Sequence, residues 1–138
     1  LITDGQIAVN YTMVSVLGRH NPKSYSVRAG AAAYCVADAD PAAFLRFHTA
    51  LFANQPDETA STFPSDDQLI TQARQAGVPA SVAECVTSGK YRDMVNNGAE
   101  TAHIMGTPTV LLGGTDIADT LLRRLDPQAL LDEIKSGN

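Results

Sequence analysis

Residues 105–112 read M-G-T-P-T-V-L-L and lie where a predicted helix gives way to a predicted strand. Proline can open a strand but cannot donate a hydrogen bond to its ladder, so Pro108 marks a special position. Two structures are compatible with it. One is an ordinary trans turn. The other is a cis-Pro loop that exposes its backbone to an extended peptide.

The elements around this stretch follow from periodicity and from turn residues. Ile7–Leu17 is rich in β-branched residues and is predicted as a largely buried strand. A block of five helices is predicted after it. The first is alanine-dense and covers 24–37, and the second begins at Asp40-Pro41. The third runs from the S-x-x-Q capping box at 65–68 to Gly77, and the last two cover 80–88 and 90–105. The predicted C-terminal elements are strands over 109–112 and 115–118 around Gly113-Gly114, and a helix from Asp126-Pro127 to about Lys135.

This order of elements indicates the fold class. Strands near both ends of the chain flank a helical block, which is typical of an α/β or α+β layout with an inserted helical subdomain. Because a lone hairpin is marginally stable at best, we expect the distant strands to share one sheet.

Length and composition exclude several classes of protein. The chain has 138 residues, of which 44% are hydrophobic and 18% charged, which fits one domain with a packed core. Its net charge of −5 argues against nucleic-acid binding. The longest apolar run, Ala31–Ala37, is far too short to span a membrane. The first residue is Leu1, with no signal-like segment after it, so we expect the chain to start partway through a longer protein or after processing.

The candidate reactive side chains form no recognisable cluster in the sequence. Cys35 and Cys85 lie on separate predicted helices and are either two buried thiols or a structural disulfide, which would require an oxidising compartment. His20, His48 and His103 have no local partners, so neither a metal site nor a catalytic triad is predicted. His48 lies among Phe44, Leu45, Leu51 and Phe52 on one apolar helix face, which is typical of a core histidine. No cofactor motif is present.

Five runs in a fixed order resemble one family. They are S-Y-S-V-R-A-G-A-A-A-Y-C-V-A (24–37), F-H-T-A-L-F-A-N-Q-P (47–56), D-D-Q-L-I-T-Q-A-R-Q-A-G-V (66–78), C-V-T-S-G-K-Y (85–91) and G-T-P-T-V-L-L-G-G (106–114). Together they resemble the DsbA-like thioredoxin-fold disulfide oxidoreductases, in the exported, often membrane-anchored form of mycobacteria and related actinobacteria.

The resemblance implies a fold and a set of site residues. It implies an α/β fold with a thioredoxin-like sheet, formed by residues 1–18 and 106–138 of one domain over 1–138, and a mainly helical insert over 24–105. Thr107 and Pro108 match the cis-Pro loop that binds substrate backbone. Cys35 and Cys85 match the second, non-catalytic disulfide of the actinobacterial branch.

The chain departs from the family in one respect. The family's C-x-x-C lies at the start of the first core helix, where the helix dipole lowers a thiol pKa, and no C-x-x-C is present here. Leu1–Gly5 resembles the end of that helix, so most of the helix and the strand before it are expected to be missing. We expect something to fill the gap between the Ile7–Val16 and Thr109–Leu112 strands, either further residues of the same protein or a neighbouring chain.

Three hypotheses about function follow. The first is a thiol–disulfide oxidoreductase of exported proteins, represented here without its catalytic dithiol. The second is a redox-inactive peptide-binding or chaperone-like module, and the third is the glutathione-dependent isomerase branch of the fold. For the first, the resemblance implies extracytoplasmic protein substrates, a membrane redox partner as a further candidate, and no cofactor, metal or nucleic acid.

Overall fold

The structure is a computed structural model that describes residues 2, 5, 7–18, 20–118 and 127–136. The chain forms two compact units, Leu1–His103 and Ile104–Asn138. Most of the Leu1–Gly5 stretch and the predicted cap Asp126 lie outside the described residues. The division into a thioredoxin-like part and a helical insert stays a prediction.

The described residues form six helices and two short strands. In chain order these are α1 (Tyr25–Ala39), α2 (Pro41–Ala53), α3 (Asp66–Gln75), α4 (Val82–Ser88), α5 (Arg92–Thr101), β1 (Leu111–Leu112), β2 (Thr115–Asp116) and α6 (Pro127–Ser136). The helical block, the hairpin and the final helix follow in the predicted order, but the strand predicted before them is absent from the described residues.

Helix α1 is the centre of the first unit and packs against α2, α3, α4 and α5. Its small side chains allow close approach: Ala32 and Ala33 are fully buried, and a Cβ on Gly30 would lie 2.9 Å from Cγ1 of Val95 in α5. The larger core side chains around α1 are Val36, Phe47, Leu69, Val82 and Val86.

The helix ends follow the predicted capping chemistry. The side chain of Asp40 accepts a hydrogen bond from the amide of Ala42 at 2.9 Å, ahead of Pro41 at the first helical position. Ser65 and Gln68 form the reciprocal capping box, with bonds of 3.3 and 2.8 Å. Gly89 ends α4 in the left-handed region, with φ of 69°. The predicted Asp40-Pro41 start and the predicted capping box at 65–68 are confirmed, and α4 ends at Ser88 as predicted.

The buried face of α2 differs from the predicted one. Ala43 and Phe47 are its buried residues. Phe44 and Leu51 are only partly buried, while Leu45 is 48% and Phe52 64% exposed. The helix is apolar nearly all round, so spacing alone did not determine which side would face α1.

Helix α5 is shorter than the predicted helix over 90–105 and continues through Asn97-Gly98, a pair that is typical of turns. It begins at Arg92 and ends at Thr101. Gly98 lies inside it because the chain before α1 comes close there: a Cβ on Gly98 would lie 3.2 Å from the carbonyl oxygen of Met13.

Residues 7–18 do not form the predicted strand, and they are not largely buried. No described residue among them pairs in a β-ladder; Val9 is 45% and Tyr11 38% exposed. The segment lies on the helical unit instead. The amide of Met13 donates to Oη of Tyr34 at 3.1 Å, and the buried Ser15 hydroxyl lies 2.8 Å from that of Ser26.

The second unit contains the predicted hairpin in a shorter form. Leu111 pairs with Asp116 and Leu112 with Thr115 in antiparallel register. Gly113 and Gly114 form the two-residue turn and have φ of 55° and 89°. This type of turn requires a positive φ at both central residues, which glycine adopts easily. In the described part of the chain these two strands pair only with each other, so the prediction that a further strand completes the sheet stays a prediction. None of the described helices is long and apolar enough to cross a membrane.

Candidate functional site

The loop between α5 and β1 contains the predicted substrate-binding residues. The peptide bond between Thr107 and Pro108 is cis, in agreement with the second of the two structures considered for this stretch. Both residues are exposed, and Met105 beside them is 89% exposed. The loop therefore projects its side chains into solvent.

Hydrogen bonds on the C-terminal side of the loop fix its shape. The Thr109 hydroxyl donates to the carbonyl oxygen of Gly106 at 2.8 Å, which closes the loop around the Thr107–Pro108 bond. The amide of Ile117 donates to the carbonyl of Val110 at 2.8 Å and ties the loop exit to the hairpin. Ile117 is only 7% exposed, so the residue that holds the loop exit through this hydrogen bond is itself buried.

The N-terminal side of the loop has free backbone groups. Within the described chain, the amides of Met105, Gly106 and Thr107 donate no hydrogen bond. A Cβ on Gly106 would meet no atom within 4 Å. An extended polypeptide could therefore approach and pair with this backbone, as peptides do with exposed strand edges.

Cys35 and Cys85 form a disulfide that joins α1 to α4 in the first unit. Their sulfurs are 2.05 Å and their Cα atoms 5.8 Å apart, so the predicted pair is present. Cys35 is buried, at 2% exposure, whereas Cys85 is only half-buried, which corrects the prediction that both would be largely buried. The bond uses both cysteines of the chain, and no thiol is left free.

A surface ion pair joins Asp38 of α1 to Lys90, which lies in the turn between α4 and α5. Nζ of Lys90 is 2.7 Å and Oη of Tyr91 3.0 Å from Oδ2 of Asp38. These hydrogen bonds lower the pKa of Asp38 and raise the pKa of Lys90. Both charged side chains are about half exposed (53% and 51%), so the pair adds little stability.

The described residues, the three histidines included, contain no cluster of side chains that could hold a metal ion. His48 is not the core histidine that the sequence indicated. It is half-buried, and its ring lies 4.9 Å from that of Phe52 and 5.2 Å from that of Tyr11. Burial by these neighbours lowers the pKa of His48.

Sequence analysis missed two features. It placed Met105 at the end of a helix, whereas α5 ends at Thr101 and leaves Met105 in the exposed loop. It also missed that Asp66 binds Arg28 at 2.9 Å and Arg92 at 2.6 Å. The acidic side chain in the first turn of a helix was visible, but its partners on two other helices were not.

Comparison with known proteins places these features in a family. The thioredoxin family model matches residues 1–133. The chain is also 34% identical over 120 residues to the serine/threonine-protein kinase PknE of Mycobacterium tuberculosis and of Mycobacterium bovis; the match covers 79% of this chain and 21% of the kinase.

Solved structures agree in fold over nearly the whole chain. The reduced form of the disulfide bond oxidoreductase DsbG from Mycobacterium tuberculosis is 42% identical with a TM-score of 0.86, and 98% of this chain and 64% of that chain are covered. Oxidized DsbA from the same organism is 43% identical with a TM-score of 0.84, and 96% of this chain and 66% of that one are covered.

The chain thus spans about a fifth of the length of the curated relatives it matches and just under two thirds of these two solved chains. Its helix-rich α/β architecture is the thioredoxin-like fold that the sequence motifs predicted. With a family model matched over 1–133 and this level of identity to solved disulfide oxidoreductases, the chain belongs to the thioredoxin family, in its branch of DsbA-like proteins.

Proposed function

We propose that this chain is the substrate-binding part of a thiol–disulfide oxidoreductase that acts on polypeptides. The observation that supports it is the loop at Thr107 and Pro108: it is exposed, its neighbouring amides are free, and it occurs in a fold shared with disulfide oxidoreductases. The role proposed for the two residues is to align an extended substrate segment.

The reaction needs a dithiol that this chain does not contain, since both of its cysteines are joined to each other. The reactive disulfide therefore belongs to residues outside these 138. A substrate thiolate attacks one sulfur of that disulfide, which forms a mixed disulfide and releases the other sulfur as a thiolate. A second substrate thiolate then attacks the substrate sulfur of the mixed disulfide, so the substrate is oxidised and the dithiol is reduced.

The proposed compartment is extracytoplasmic. Structural disulfides persist in oxidising environments and are rare where thiols are kept reduced. The Cys35–Cys85 bond fits the first kind of environment. The proposed substrates are accordingly exported polypeptides, and a membrane redox partner that reoxidises the dithiol is part of the same proposal.

A second candidate function is a redox-inactive peptide-binding module. One observation favours it: no thiol of this chain is free to react. The loop would then bind a polypeptide without exchanging a disulfide with it.

The deciding experiment uses a reduced, unfolded protein as the substrate and the longer protein that contains this chain as the enzyme. It measures the rate at which disulfides form in the substrate. We expect exchange in the wild type and at least about a tenfold loss in Thr107→Trp, whose ring would cover the free backbone beside Pro108. Thr62→Trp is the matched control, because Thr62 is also exposed but lies in the helical unit.

Exchange that is equal in Thr107→Trp and Thr62→Trp would contradict the role of the loop. Binding of unfolded substrate without any exchange by the wild type would instead support the redox-inactive module.

A further inference from the structure

Met105 is the most exposed of the large hydrophobic residues in the described chain. Its exposure of 89% exceeds that of Leu17, at 75%, and of Phe52, at 64%. Burial of a methionine side chain is favourable, so a ligand that covers Met105 gains affinity from the contact. This exposed side chain lies directly beside the free amides of residues 105–107, so a polypeptide that pairs with that backbone would also meet Met105.

The surroundings of Met105 have no charge. The twelve residues 104–115 read I-M-G-T-P-T-V-L-L-G-G-T and include no acidic or basic side chain, although the whole chain has a net charge of −5. Leu111, on β1 of the same hairpin unit, is a second exposed apolar residue, at 59%. The loop therefore offers backbone hydrogen bonds and apolar contacts to a ligand, but no ion pair.

We propose that Met105 is a specificity-determining residue, which selects extended polypeptide segments with an apolar side chain next to the cysteine. This inference rests on the proposed function, because it takes the Thr107–Pro108 loop as the place where the substrate backbone lies. The free amides of residues 105–107 pair with the substrate backbone whatever its sequence. The Met105 side chain then contacts the residue that flanks the substrate cysteine.

Methionine is suited to this task. Its thioether chain is unbranched and polarizable, so it adapts to side chains of different shape and is common at surfaces that bind many partners. Because the loop has no charge, the selection depends on apolar contact and not on the sign of the substrate's charge. The proposed preference is broad: leucine-like, aromatic and methionine side chains are favoured over small polar ones.

The test uses the same longer protein as the exchange assay and two fluorescein-labelled heptapeptides with blocked ends. The peptides have a central serine in place of cysteine, which prevents exchange, and differ only in the two flanking residues, which are leucine in one and serine in the other. Fluorescence anisotropy gives the two dissociation constants. We expect the leucine peptide to bind the wild type roughly five- to tenfold more tightly, as expected for burial of one apolar contact.

Variants separate the contact from nonspecific apolar attraction. Met105→Ser should abolish the preference, and Met105→Leu should retain it. Met94→Ser is the matched control, because Met94 is 47% exposed but lies on α5 in the other unit, and it should leave the preference unchanged.

A preference that survives in Met105→Ser, or equal binding of the two peptides by the wild type, overturns the role of Met105 while the loop remains a binding site. If neither peptide binds, the inference is also overturned. The exchange assay with Thr107→Trp tests the proposed function independently of the peptide-binding result.

Discussion

His48 shows how neighbouring rings change the chemistry of a single residue. Its imidazole lies 5.2 Å from the Tyr11 ring, 5.6 Å from the Phe44 ring and 4.9 Å from the Phe52 ring. These rings displace water from a group that water would stabilise in its charged form. The pKa of His48 is therefore lowered from its ordinary value of 6.5.

We expect this shift to make folding stability depend on pH. A histidine whose pKa is lower in the folded than in the unfolded state binds its proton more readily when unfolded. Above pH 6.5 the titration of His48 therefore leaves the free energy of unfolding unchanged. As the pH falls from 6.5 towards the pKa of the folded state, the unfolded state takes up the proton first and the free energy of unfolding decreases. In urea unfolding between about pH 8 and pH 5.5, His48→Gln should lose less stability than the wild type.

His20→Gln is the control, because His20 is exposed and belongs to no aromatic cluster of the described residues. The same loss of stability in His48→Gln and in wild type would contradict the proposed cause.

At the scale of elements, one carboxylate joins three helices. Asp66, in the first turn of α3, binds Arg28 of α1 at 2.9 Å and Arg92 of α5 at 2.6 Å. Arg28 also donates to the carbonyl of Pro64 at 2.8 Å, just before α3. The three charged side chains are only 15–27% exposed, so water screens them less than it screens an ordinary surface pair.

Asp66→Ala should therefore destabilise the helical unit by about 1–2 kcal/mol, since it leaves two half-buried guanidinium groups without their carboxylate. Asp67→Ala is a matched control: Asp67 also lies in the first turn of α3 and interacts with the helix dipole, but it is exposed and forms no ion pair among the described residues. Chemical unfolding gives both values, and equal losses in the two variants would mean that the ion pairs contribute nothing.

The helices could be predicted because their ends depend on residues close in sequence. Ser65 and Gln68 satisfy each other's backbone amides, and Asp40 caps the helix that Pro41 opens, whatever the rest of the chain does. The end of α5 was missed because no glycine or cap marks Thr101.

The strand predicted at Ile7–Leu17 shows the opposite case. A β-branched run indicates a backbone that prefers to be extended, but a strand exists only where another backbone pairs with it. Within the described residues no such partner is present, and the segment lies on the helices through Met13 and Ser15. The outer face of α2 was unpredictable for a related reason: Leu45 and Phe47 are both apolar, and their environments differ only through the packing of α2 on α1 and α3.

For the whole molecule, the residues of the candidate site were predicted to different extents. Pro108 stood out because a proline at a helix–strand junction can open a strand but cannot donate to its ladder, and the family resemblance then matched Thr107 and Pro108 to the cis-Pro loop. The pairing of Cys35 with Cys85 followed from the family resemblance, since 49 intervening residues say nothing about proximity. Met105 could not be identified, because its exposure depends on where α5 ends and on which atoms the fold leaves nearby.

The Cys35–Cys85 bond should contribute more to the stability of the helical unit than any single ion pair. It joins residues 50 positions apart, and closing a loop of that length removes unfolded-state entropy worth about 4 kcal/mol in the chain-entropy model. The bond links α1, which contacts four other helices, to the short helix α4. The double variant Cys35→Ala/Cys85→Ala should therefore lose up to about 4 kcal/mol of unfolding free energy, measured by circular dichroism in urea. Wild type unfolded in the presence of a reductant should lose a similar amount, whereas the double variant should not respond to reductant. Equal free energies of unfolding for the oxidised wild type and the double variant would contradict the proposal that the bond stabilises the helical unit.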